Sequence, residues 1–541
     1  MQQKSTAEKN NTRLDDLSVR EIASLCYSYW REFSGNVGQS FCAAVVLQII
    51  LFGWGGFSLW EFKHGMDALS SCAVALLLFF CLLRLSFSRM NFLLPLLTWS
   101  VWALYPLRSM TGSGLLSPVN LDTLFASDFD EVVSFLGSLG FSLFISLASA
   151  IALCFLCMLI FPLQRIEEGP FLRRWKIYAW LMLLGAAVAS PLRDVSVGLG
   201  RLLYFQFATP EVSWHVSGDL PNADHADVYV IVMEESLSEK VMGAYGAMLP
   251  TTPFLSSQPH KRIETFVSPH MTTAAAVPAF SALSGKDGET DLGGNILWLA
   301  KEARLETHWL SAQGRTSGLD SYLVLLGSFA EHEDWSANKD DLAMIPALRR
   351  VLSSPLAPDK RGRLIFMHAY GAHEETCDRV RDMGKVYNVG AEPVLDCYLA
   401  SALKADKLAK GVVSELRKAG LSYKLVFTSD HAINFWRDAG GSLHFQRNAG
   451  FQGQYQVPFM ELGSALTDRK TYPIVQLGSN FPLYFPTWIG VQTDRTPAGY
   501  DIFSHSLPDP LVTKTSGEQV FWKTLRPTPT IEQAVNSRRN R

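Results

Sequence analysis

Hydrophobic and polar positions divide this chain near residue 193. Before that point the apolar residues come in long runs, and after about residue 220 they form short runs separated by polar stretches. Five of the long runs have about 17–25 residues, the length that an α-helix needs to cross a bilayer. They cover residues 39–60, 68–85, 90–107, 140–163 and 175–192. The pattern therefore predicts five transmembrane helices followed by a soluble domain.

Lys and Arg residues indicate how these helices are oriented. They cluster before the first run, between the second and third, and between the fourth and fifth. The positive-inside rule places these three segments in the cytoplasm. An odd number of spans then puts everything after about residue 193 outside the cytoplasm. The first run begins too late, and is too long, to be a cleavable signal peptide.

From residue 227 onward, short β-rich runs alternate with helical patterns. Strands are predicted at 228–233, 307–311, 364–368, 425–428 and 456–462, and helices at 340–352 and 394–419. This alternation predicts a mostly parallel sheet with helices on both faces.

The same patterns divide the chain into five parts. We predict a cytoplasmic segment at 1–38, a transmembrane domain at 39–192, an interfacial linker at 193–222, a soluble domain at 223–526 and a disordered tail at 527–541.

Polar residues follow three of the predicted strands. Glu235 follows the first, His368 and His373 follow the strand at 364–368, and Asp430-His431 follow the strand at 425–428. Because the carboxyl ends of parallel strands face the ligand crevice, these side chains are expected to lie close together. Carboxylates and imidazoles are natural ligands for Zn²⁺. The alternative for Asp430-His431 is a helix-capping Asp beside a partly exposed His.

A threonine-rich loop lies between the first two of these strands. Residues 270–278 read His-Met-Thr-Thr-Ala-Ala-Ala-Val-Pro and turn into an alanine-rich helix. An isolated Thr at such a position is most simply an N-cap. The functional alternative is a nucleophile, since bound Zn²⁺ can deprotonate its hydroxyl and the positive helix end favours an attached phosphate.

Charge and cysteine content narrow the class of protein. The net charge is −3 and no basic cluster suggests a nucleic-acid partner. Six of the eight cysteines lie in the N-terminal or membrane part, and only Cys377 and Cys397 lie in the soluble domain. An even pair in an oxidising compartment suggests one disulfide, with two unpaired thiols as the alternative.

At these residues the chain resembles the membrane-anchored phosphoethanolamine transferases, which belong to the alkaline phosphatase and sulfatase-like superfamily. The family pattern is five spans followed by a periplasmic zinc domain. The motifs that carry the resemblance are Glu234-Glu235-Ser236, Tyr245-Gly246, Thr251-Thr252-Pro253, His368-Ala-Tyr-Gly-Ala-His373 and Ser429-Asp430-His431-Ala432. Glu234 and Ala432 depart from the family, which has Gly at both positions.

The resemblance implies an α/β sandwich with a mostly parallel sheet, attached to a multi-pass domain in the bacterial inner membrane. It also implies Zn²⁺, as one ion or two, bound by Glu235, Asp430, His431 and a nucleophilic Thr. Counting from the strand side aligns that nucleophile with Thr272, and Thr273 is the alternative. The remaining implied site residues act in catalysis or bind substrate: His373 and His444 in both roles, and His368 and Thr273 in substrate binding.

The implied activity is transfer of phosphoethanolamine from phosphatidylethanolamine, through a phosphothreonine, to a periplasmic glycan. Residues 377–379, Cys397-Tyr398 and 453–460 resemble the branch that modifies osmoregulated periplasmic glucans. Lipid A or the lipopolysaccharide core is an alternative acceptor, although Met271 stands where lipid A enzymes have a Cys-Gly. A phosphoglycerol transferase and a non-catalytic membrane scaffold are further alternatives. A sulfatase-like hydrolase needs a Cys/Ser-x-Pro-x-Arg turn, which residues 270–278 do not contain.

Overall fold

The structure is a computed structural model that describes residues 210–533, except 286–289, 314, 316–321, 336–338, 374–375, 385, 390–392, 438–442, 515–516 and 532. The five predicted spans and most of the predicted linker lie outside the described residues. In the part of the chain that is described, no helix has the length and apolar character needed to cross a membrane.

The strands, numbered in chain order, are β1 (Val216–Asp219), β2 (Val228–Glu234), β3 (His260–Val267), β4 (Ala282–Ser284), β5 (Thr290–Asn295), β6 (Leu305–Ser311), β7 (His332–Asp334), β8 (Gly362–His368), β9 (Tyr423–Ser429), β10 (Asn434–Arg437), β11 (Leu443–Gln446), β12 (Gln456–Val457), β13 (Phe459–Gly463), β14 (Arg469–Leu477), β15 (Val491–Thr493), β16 (Leu511–Thr513) and β17 (Gln519–Phe521).

The α-helices are α1 (Pro253–Ser257), α2 (Thr273–Ser281), α3 (Ile296–Glu302), α4 (Tyr322–Ser328), α5 (Met344–Ser353), α6 (Thr376–Arg379), α7 (Pro393–Lys418) and α8 (Phe481–Ile489). Short 3₁₀ helices cover Glu239–Val241, Gly243–Tyr245, Asp341–Ala343, Arg381–Met383, Gln452–Gln454, Gly478–Asn480 and Trp522–Thr524.

One large sheet organises these elements. Its strand order is β12-β3-β13-β9-β2-β8-β6-β7, and β14 also pairs with β3. Strands β9, β2, β8, β6 and β7 run parallel to one another, whereas β13 is antiparallel to both of its neighbours. The prediction of a mostly parallel sheet is therefore confirmed. The predicted strand at 456–462 is interrupted at Pro458, which has no N–H to donate to a ladder.

The central strand β2 separates two hydrophobic cores. All seven of its residues are buried, as expected for a parallel strand covered on both faces. Because side chains alternate, Val230 packs in the core that contains α5 and α7, and Ile231 packs in the core that contains α2, α3, α4 and α8. The site at the end of β2 therefore rests on a strand fixed from both sides.

Residues 210–222 do not form the separate linker that the sequence predicted. Trp214 is completely buried in the second core, and β1 pairs with β15. The domain therefore begins at least as early as residue 210, because a large aromatic side chain in this segment gains more from burial than from an interfacial position.

The segment after Pro527 is likewise ordered as far as it is described. Ile531 is buried in the first core. The Thr528 hydroxyl accepts a hydrogen bond from Gly453 N (2.8 Å) and donates one to Asn434 Oδ1 (2.8 Å). The predicted disorder of the tail is thus wrong for these residues, because one apolar side chain anchors an otherwise polar, proline-rich stretch.

Cys377 and Cys397 form a disulfide across a sequence separation of 20 residues. The bond joins α6, which follows the β8 loop, to the first turns of α7. The paired interpretation of the two cysteines is therefore confirmed, and the alternative of two unpaired thiols is wrong.

Candidate metal centre and nucleophile at the strand ends

The turn after β2 presents Glu235 at the carboxyl end of the sheet. Ser236 adopts a left-handed backbone conformation (φ 61°), which turns the chain sharply. Its N–H donates to Asp430 Oδ1 (2.9 Å) and its hydroxyl donates to Glu235 Oε1 (2.8 Å). These bonds compensate for the unfavourable conformation and fix the Glu235 carboxylate.

The end of β9 presents Asp430 and His431. Asp430 Oδ1 accepts from His431 N (2.6 Å) as well as from Ser236 N, so the turns after β2 and β9 share one acceptor. His431 Nδ1 lies 3.2 Å from Ala432 O. Since a carbonyl oxygen only accepts, Nδ1 carries the proton and Nε2 faces the site. The alternative of a partly exposed His is wrong, because His431 is completely buried.

Glu235, Asp430 and His431 converge as the sequence predicted. His431 Nε2 lies 3.3 Å from Glu235 Oε1 and 3.4 Å from Asp430 Oδ2. One ligand atom from each residue lies within 4.8 Å of the others, and all three side chains are buried. Tetrahedral ligands about 2.0–2.2 Å from Zn²⁺ are roughly 3.3–3.5 Å apart. The observed separations fit that geometry.

Electrostatics also favour a cation here. Asp430 Oδ2 has no hydrogen-bond partner among the described residues. Burial and the charge of Glu235 raise the pKa of Asp430 to about 7. Burial also acts to raise the pKa of Glu235, but the hydrogen bond and charge of His431 outweigh it and hold that pKa well below its usual range. Two buried carboxylates facing an imidazole nitrogen require a positive charge between them, and a divalent ion supplies one.

The hydroxyl that meets this cluster belongs to Thr273. Its Oγ1 donates to Glu235 Oε2 (2.8 Å) and lies 3.5 Å from His431 Nε2. Thr272, the residue preferred from the sequence, occupies the N-cap position of α2, and its side chain makes no capping hydrogen bond. The structure therefore favours Thr273 over Thr272 as the candidate nucleophile. The backbone of Thr272 is extended, so the helix begins at Thr273.

Gln313 is a site residue that the sequence reasoning missed. Its Nε2 donates to Glu235 Oε2 (3.1 Å) and Ala369 O (3.0 Å), and lies 3.3 Å from His368 Nε2. Gln313 follows β6 by two residues. The rule that selected Glu235, a polar side chain just past a parallel strand, would have selected it as well.

His368 is buried at the end of β8, beside Gln313. Burial lowers its pKa to about 4, so the ring is neutral at ordinary pH. Its Nδ1 has no hydrogen-bond partner among the described residues. A neutral imidazole at this position suits hydrogen bonding or metal binding rather than charge pairing.

His373 and His444 lie on different elements. The His373 ring stacks on Tyr370 (ring centroids 5.3 Å apart), and its charge acts to lower the pKa of Glu235. His444 lies on β11 and stacks on Trp436 (5.1 Å). His444 is the register partner of Trp436 in the β10–β11 hairpin.

A second layer of acidic groups lies behind the ligands. Glu234 is buried, and burial together with the charges of Asp341 and Asp430 raises its pKa well above the usual range. Asp341 accepts from the backbone N–H groups of Tyr370 (2.6 Å) and Gly371 (3.1 Å), which fixes the β8 loop. A Cβ on Gly371 would lie 2.7 Å from Glu235 O, so this loop and the Glu235 turn fit together only with glycine there.

The domain thus has a buried carboxylate–imidazole cluster at the carboxyl ends of its parallel strands, with a threonine hydroxyl beside it. Residues 227–478 match the sulfatase family. This match and the curated relatives described next support the resemblance of the motifs to the phosphoethanolamine transferases of the alkaline phosphatase and sulfatase superfamily.

Two curated relatives and one solved structure illustrate this similarity. The chain is 25% identical over 310 residues to phosphoethanolamine transferase OpgE of Escherichia coli strain K12, covering 55% of this chain and 56% of that protein. It is 28% identical over 229 residues to a putative phosphoethanolamine transferase of Haemophilus influenzae, covering 39% and 47%. The chain thus spans about half the length of the curated relatives it matches.

The solved structure is that of the integral membrane protein lipooligosaccharide phosphoethanolamine transferase A from Neisseria meningitidis. The TM-score is 0.57 at 13% identity, and the match covers 87% of this chain and 98% of that one. At this level of identity the similarity concerns the fold.

Proposed function

We propose that this protein is a zinc-dependent phosphoethanolamine transferase that moves the head group of phosphatidylethanolamine to a periplasmic glycan through a phosphothreonine. The sulfatase-family match, the similarity to phosphoethanolamine transferase OpgE and the cluster of Glu235, Asp430 and His431 support this activity. The observation that carries the proposal is the position of the Thr273 hydroxyl, 2.8 Å from Glu235 Oε2 and 3.5 Å from His431 Nε2.

Glu235, Asp430 and His431 would bind the Zn²⁺ ion, with the Thr273 hydroxyl completing the set. The chemistry that Zn²⁺ supplies at such a site is a lower pKa for the hydroxyl and partial neutralisation of the donor phosphate. The residues themselves hold the nucleophile: Glu235 Oε2 accepts its hydrogen bond, and Gln313 Nε2 donates to the same oxygen.

In the first step, the Thr273 hydroxyl gives up its proton to Glu235 Oε2, which already accepts its hydrogen bond, and Oγ1 forms a bond to the phosphorus of phosphatidylethanolamine. The proton returns to Oγ1 when that oxygen leaves in the second step. The bond from phosphorus to the glycerol oxygen breaks, and diacylglycerol leaves after that oxygen takes up a proton. His373 and His444 are the proposed donors of this proton and ligands of the phosphate. Phosphoethanolamine then remains on Thr273 at the N-terminus of α2, where the helix dipole favours its negative charge.

In the second step, an acceptor hydroxyl loses its proton and attacks the phosphorus, and the bond to Thr273 Oγ1 breaks. The proposed acceptor is an osmoregulated periplasmic glucan, on the basis of residues 377–379, 397–398 and 453–460. Both steps require the domain to lie in the periplasm beside the bacterial inner membrane. Five predicted spans before residue 193 support that location.

The test compares Thr273→Ala with Thr272→Ala in membranes supplied with phosphatidylethanolamine labelled in its head group. Thr273→Ala should reduce transfer at least about a thousandfold, the scale seen when a nucleophile is removed. Thr272→Ala should retain most of it. Mass spectrometry of the wild-type protein after donor but no acceptor should find phosphoethanolamine on Thr273.

Full transfer by Thr273→Ala, or label on Thr272 instead, would contradict the assignment of the nucleophile. A parallel assay with head-group-labelled phosphatidylglycerol separates phosphoethanolamine transfer from phosphoglycerol transfer. Analysis of glucans and lipid A from cells with and without the gene identifies the acceptor.

A further inference from the structure

A second group of metal-binding side chains lies on strands β6 and β7, away from the strand-end cluster. Glu306 and His308 are two residues apart on β6, so their side chains point to the same face of the sheet. His332 on β7 is the register partner of His308 across the parallel pair. The pairing therefore brings one carboxylate and two imidazoles together on one face.

The ligand atoms are spaced as a small metal ion requires. His308 Nε2 lies 3.5 Å from Glu306 Oε2, and His332 Nε2 lies 3.4 Å from Glu306 Oε1. One ligand atom from each of the three residues lies within 4.8 Å of the others. Each imidazole nitrogen thus lies near a different oxygen of the same carboxylate, at separations close to the roughly 3.3–3.5 Å between ligands in a tetrahedral zinc site.

The buried imidazole of His308 has a ring nitrogen that forms no hydrogen bond within the described residues. The residue is 5% exposed, and its Nε2 has no hydrogen-bond partner among the described residues. Glu306 Oε2 lies 3.5 Å from this nitrogen but forms no hydrogen bond of good geometry with it, and a buried imidazole nitrogen left so is costly. A bound cation would satisfy it.

Glu306 is already held in place on its outer side. Arg363 Nε on β8 donates to Glu306 Oε2 (2.8 Å), and Arg363 Nη2 donates to Ser354 O (2.7 Å). This contact leaves Oε1 directed toward His332, in the way that outer hydrogen bonds orient metal-binding carboxylates. His332 is 58% exposed in its side chain, so an ion can enter from solvent.

We propose that Glu306, His308 and His332 form a binding site for a divalent transition-metal ion of the Zn²⁺ type. Two imidazoles and one carboxylate favour such ions over Mg²⁺ and Ca²⁺, which prefer oxygen ligands throughout. The site would join β7, which lies at one end of the strand order of the described sheet, to its neighbour β6. This inference is independent of the proposed transferase activity.

The experiment measures zinc per chain by mass spectrometry in tag-free full-length protein, purified in detergent and dialysed against Zn²⁺. It is done in an Asp430→Asn background, which weakens the strand-end cluster. His332→Ala in that background should remove one further equivalent of zinc, or weaken its binding more than about tenfold, a loss that even outer-shell substitutions can cause.

The matched control is His215→Ala. His215 is also exposed and pairs with a carboxylate, Glu302 (2.7 Å), but it belongs to no such group of three among the described residues. This substitution should leave the zinc content unchanged. Cobalt replacement adds a second readout, since His332→Ala should reduce the visible absorption of bound Co²⁺ and His215→Ala should not.

Equal zinc content and cobalt spectra in the His332→Ala and His215→Ala proteins would overturn the proposal. If His332→Ala fails to fold, Glu306→Gln provides the same comparison with the side-chain shape retained. Neither result bears on Thr273, because the readout is metal content and not transfer.

Discussion

At the scale of single residues, the shared acceptor at Asp430 Oδ1 connects two turns. It binds the N–H groups of Ser236 and His431, which leaves Oδ2 directed at the metal centre. Asp430 therefore uses one carboxylate oxygen for the protein and leaves the other for the proposed ion. Both oxygens of Glu235, by contrast, accept hydrogen bonds, Oε1 from Ser236 and Oε2 from Thr273 and Gln313.

A buried carboxylic acid outside the centre predicts a pH effect on stability. Glu239 is 4% exposed, and burial raises its pKa to about 8. Because the pKa of Glu239 is higher in the folded than in the unfolded protein, the stability that its protonated form contributes is fully present below the pKa of the unfolded state, about 4.5. This contribution is lost as the pH rises toward 8. Glu239→Gln should remove this dependence, with a gain at pH 8 of at most about 5 kcal/mol.

The measurement is the denaturant midpoint of wild type and Glu239→Gln between pH 5 and pH 8. Glu211→Gln, at an exposed position before β1, serves as the control and should follow wild type. Parallel curves for wild type and Glu239→Gln across this range would show that Glu239 does not ionise as argued.

The sequence predicted which side chains converge at the strand ends, but it preferred Thr272 where the structure places the Thr273 hydroxyl beside them. A polar residue after a buried apolar run marks the crevice regardless of exact helix boundaries, which is why Glu235, Asp430 and His431 were found. The choice between Thr272 and Thr273 depends on where α2 begins to within one residue. Helix ends are not determined by pattern at that precision.

At the scale of secondary structure, elements with strong periodicity were predicted and weakly patterned ones were not. The apolar run of β2 and the long amphipathic helix α7 (Pro393–Lys418) lie close to their predicted limits. Strand β3 (His260–Val267) was missed, because its sequence mixes charged and apolar residues and only half of its positions are buried. Such a strand is specified by its partners β12, β13 and β14.

The disulfide allows a prediction at this scale. Cys377→Ser should destabilise the domain by about 3 kcal/mol, the loop-entropy value for closing a loop of this length. The denaturant midpoint measures the loss. Treatment of the wild type with a reductant should reproduce it, and the Cys377→Ser/Cys397→Ser double variant should be no less stable than the single one. An unchanged midpoint would mean that packing between α6 and α7 alone holds this region.

At the scale of the whole domain, five parallel strands bring residues from distant parts of the sequence to one edge. Ser236 and Asp430, which are joined by a hydrogen bond beside Glu235 and His431, are 194 positions apart in the sequence. Such a site exists only in the folded sheet, so an ion bound there stabilises the entire domain rather than one loop.

Removal of the metal should therefore lower the thermal stability of the domain. A chelator should reduce the unfolding temperature, and stoichiometric Zn²⁺ should restore it; at a free ion concentration of 1,000 times Kd the stabilisation is about 4 kcal/mol. Differential scanning fluorimetry checks this. The effect should be much smaller in His431→Ala, and a chelator effect of full size in that variant would assign the stabilisation to another site.

The hydrogen bonds of Thr528 have a consequence for the order in which parts of the candidate site can form during synthesis. Gln454 binds Ala432, the residue after His431, and its neighbour Gly453 is held by Thr528 near the end of the described chain. During synthesis the ribosome releases this segment after every metal ligand has already emerged. The strand-end residues are therefore synthesised before Thr528, so the hydrogen bonds of Thr528 to Gly453 and Asn434 can support this region only after Thr528 has emerged.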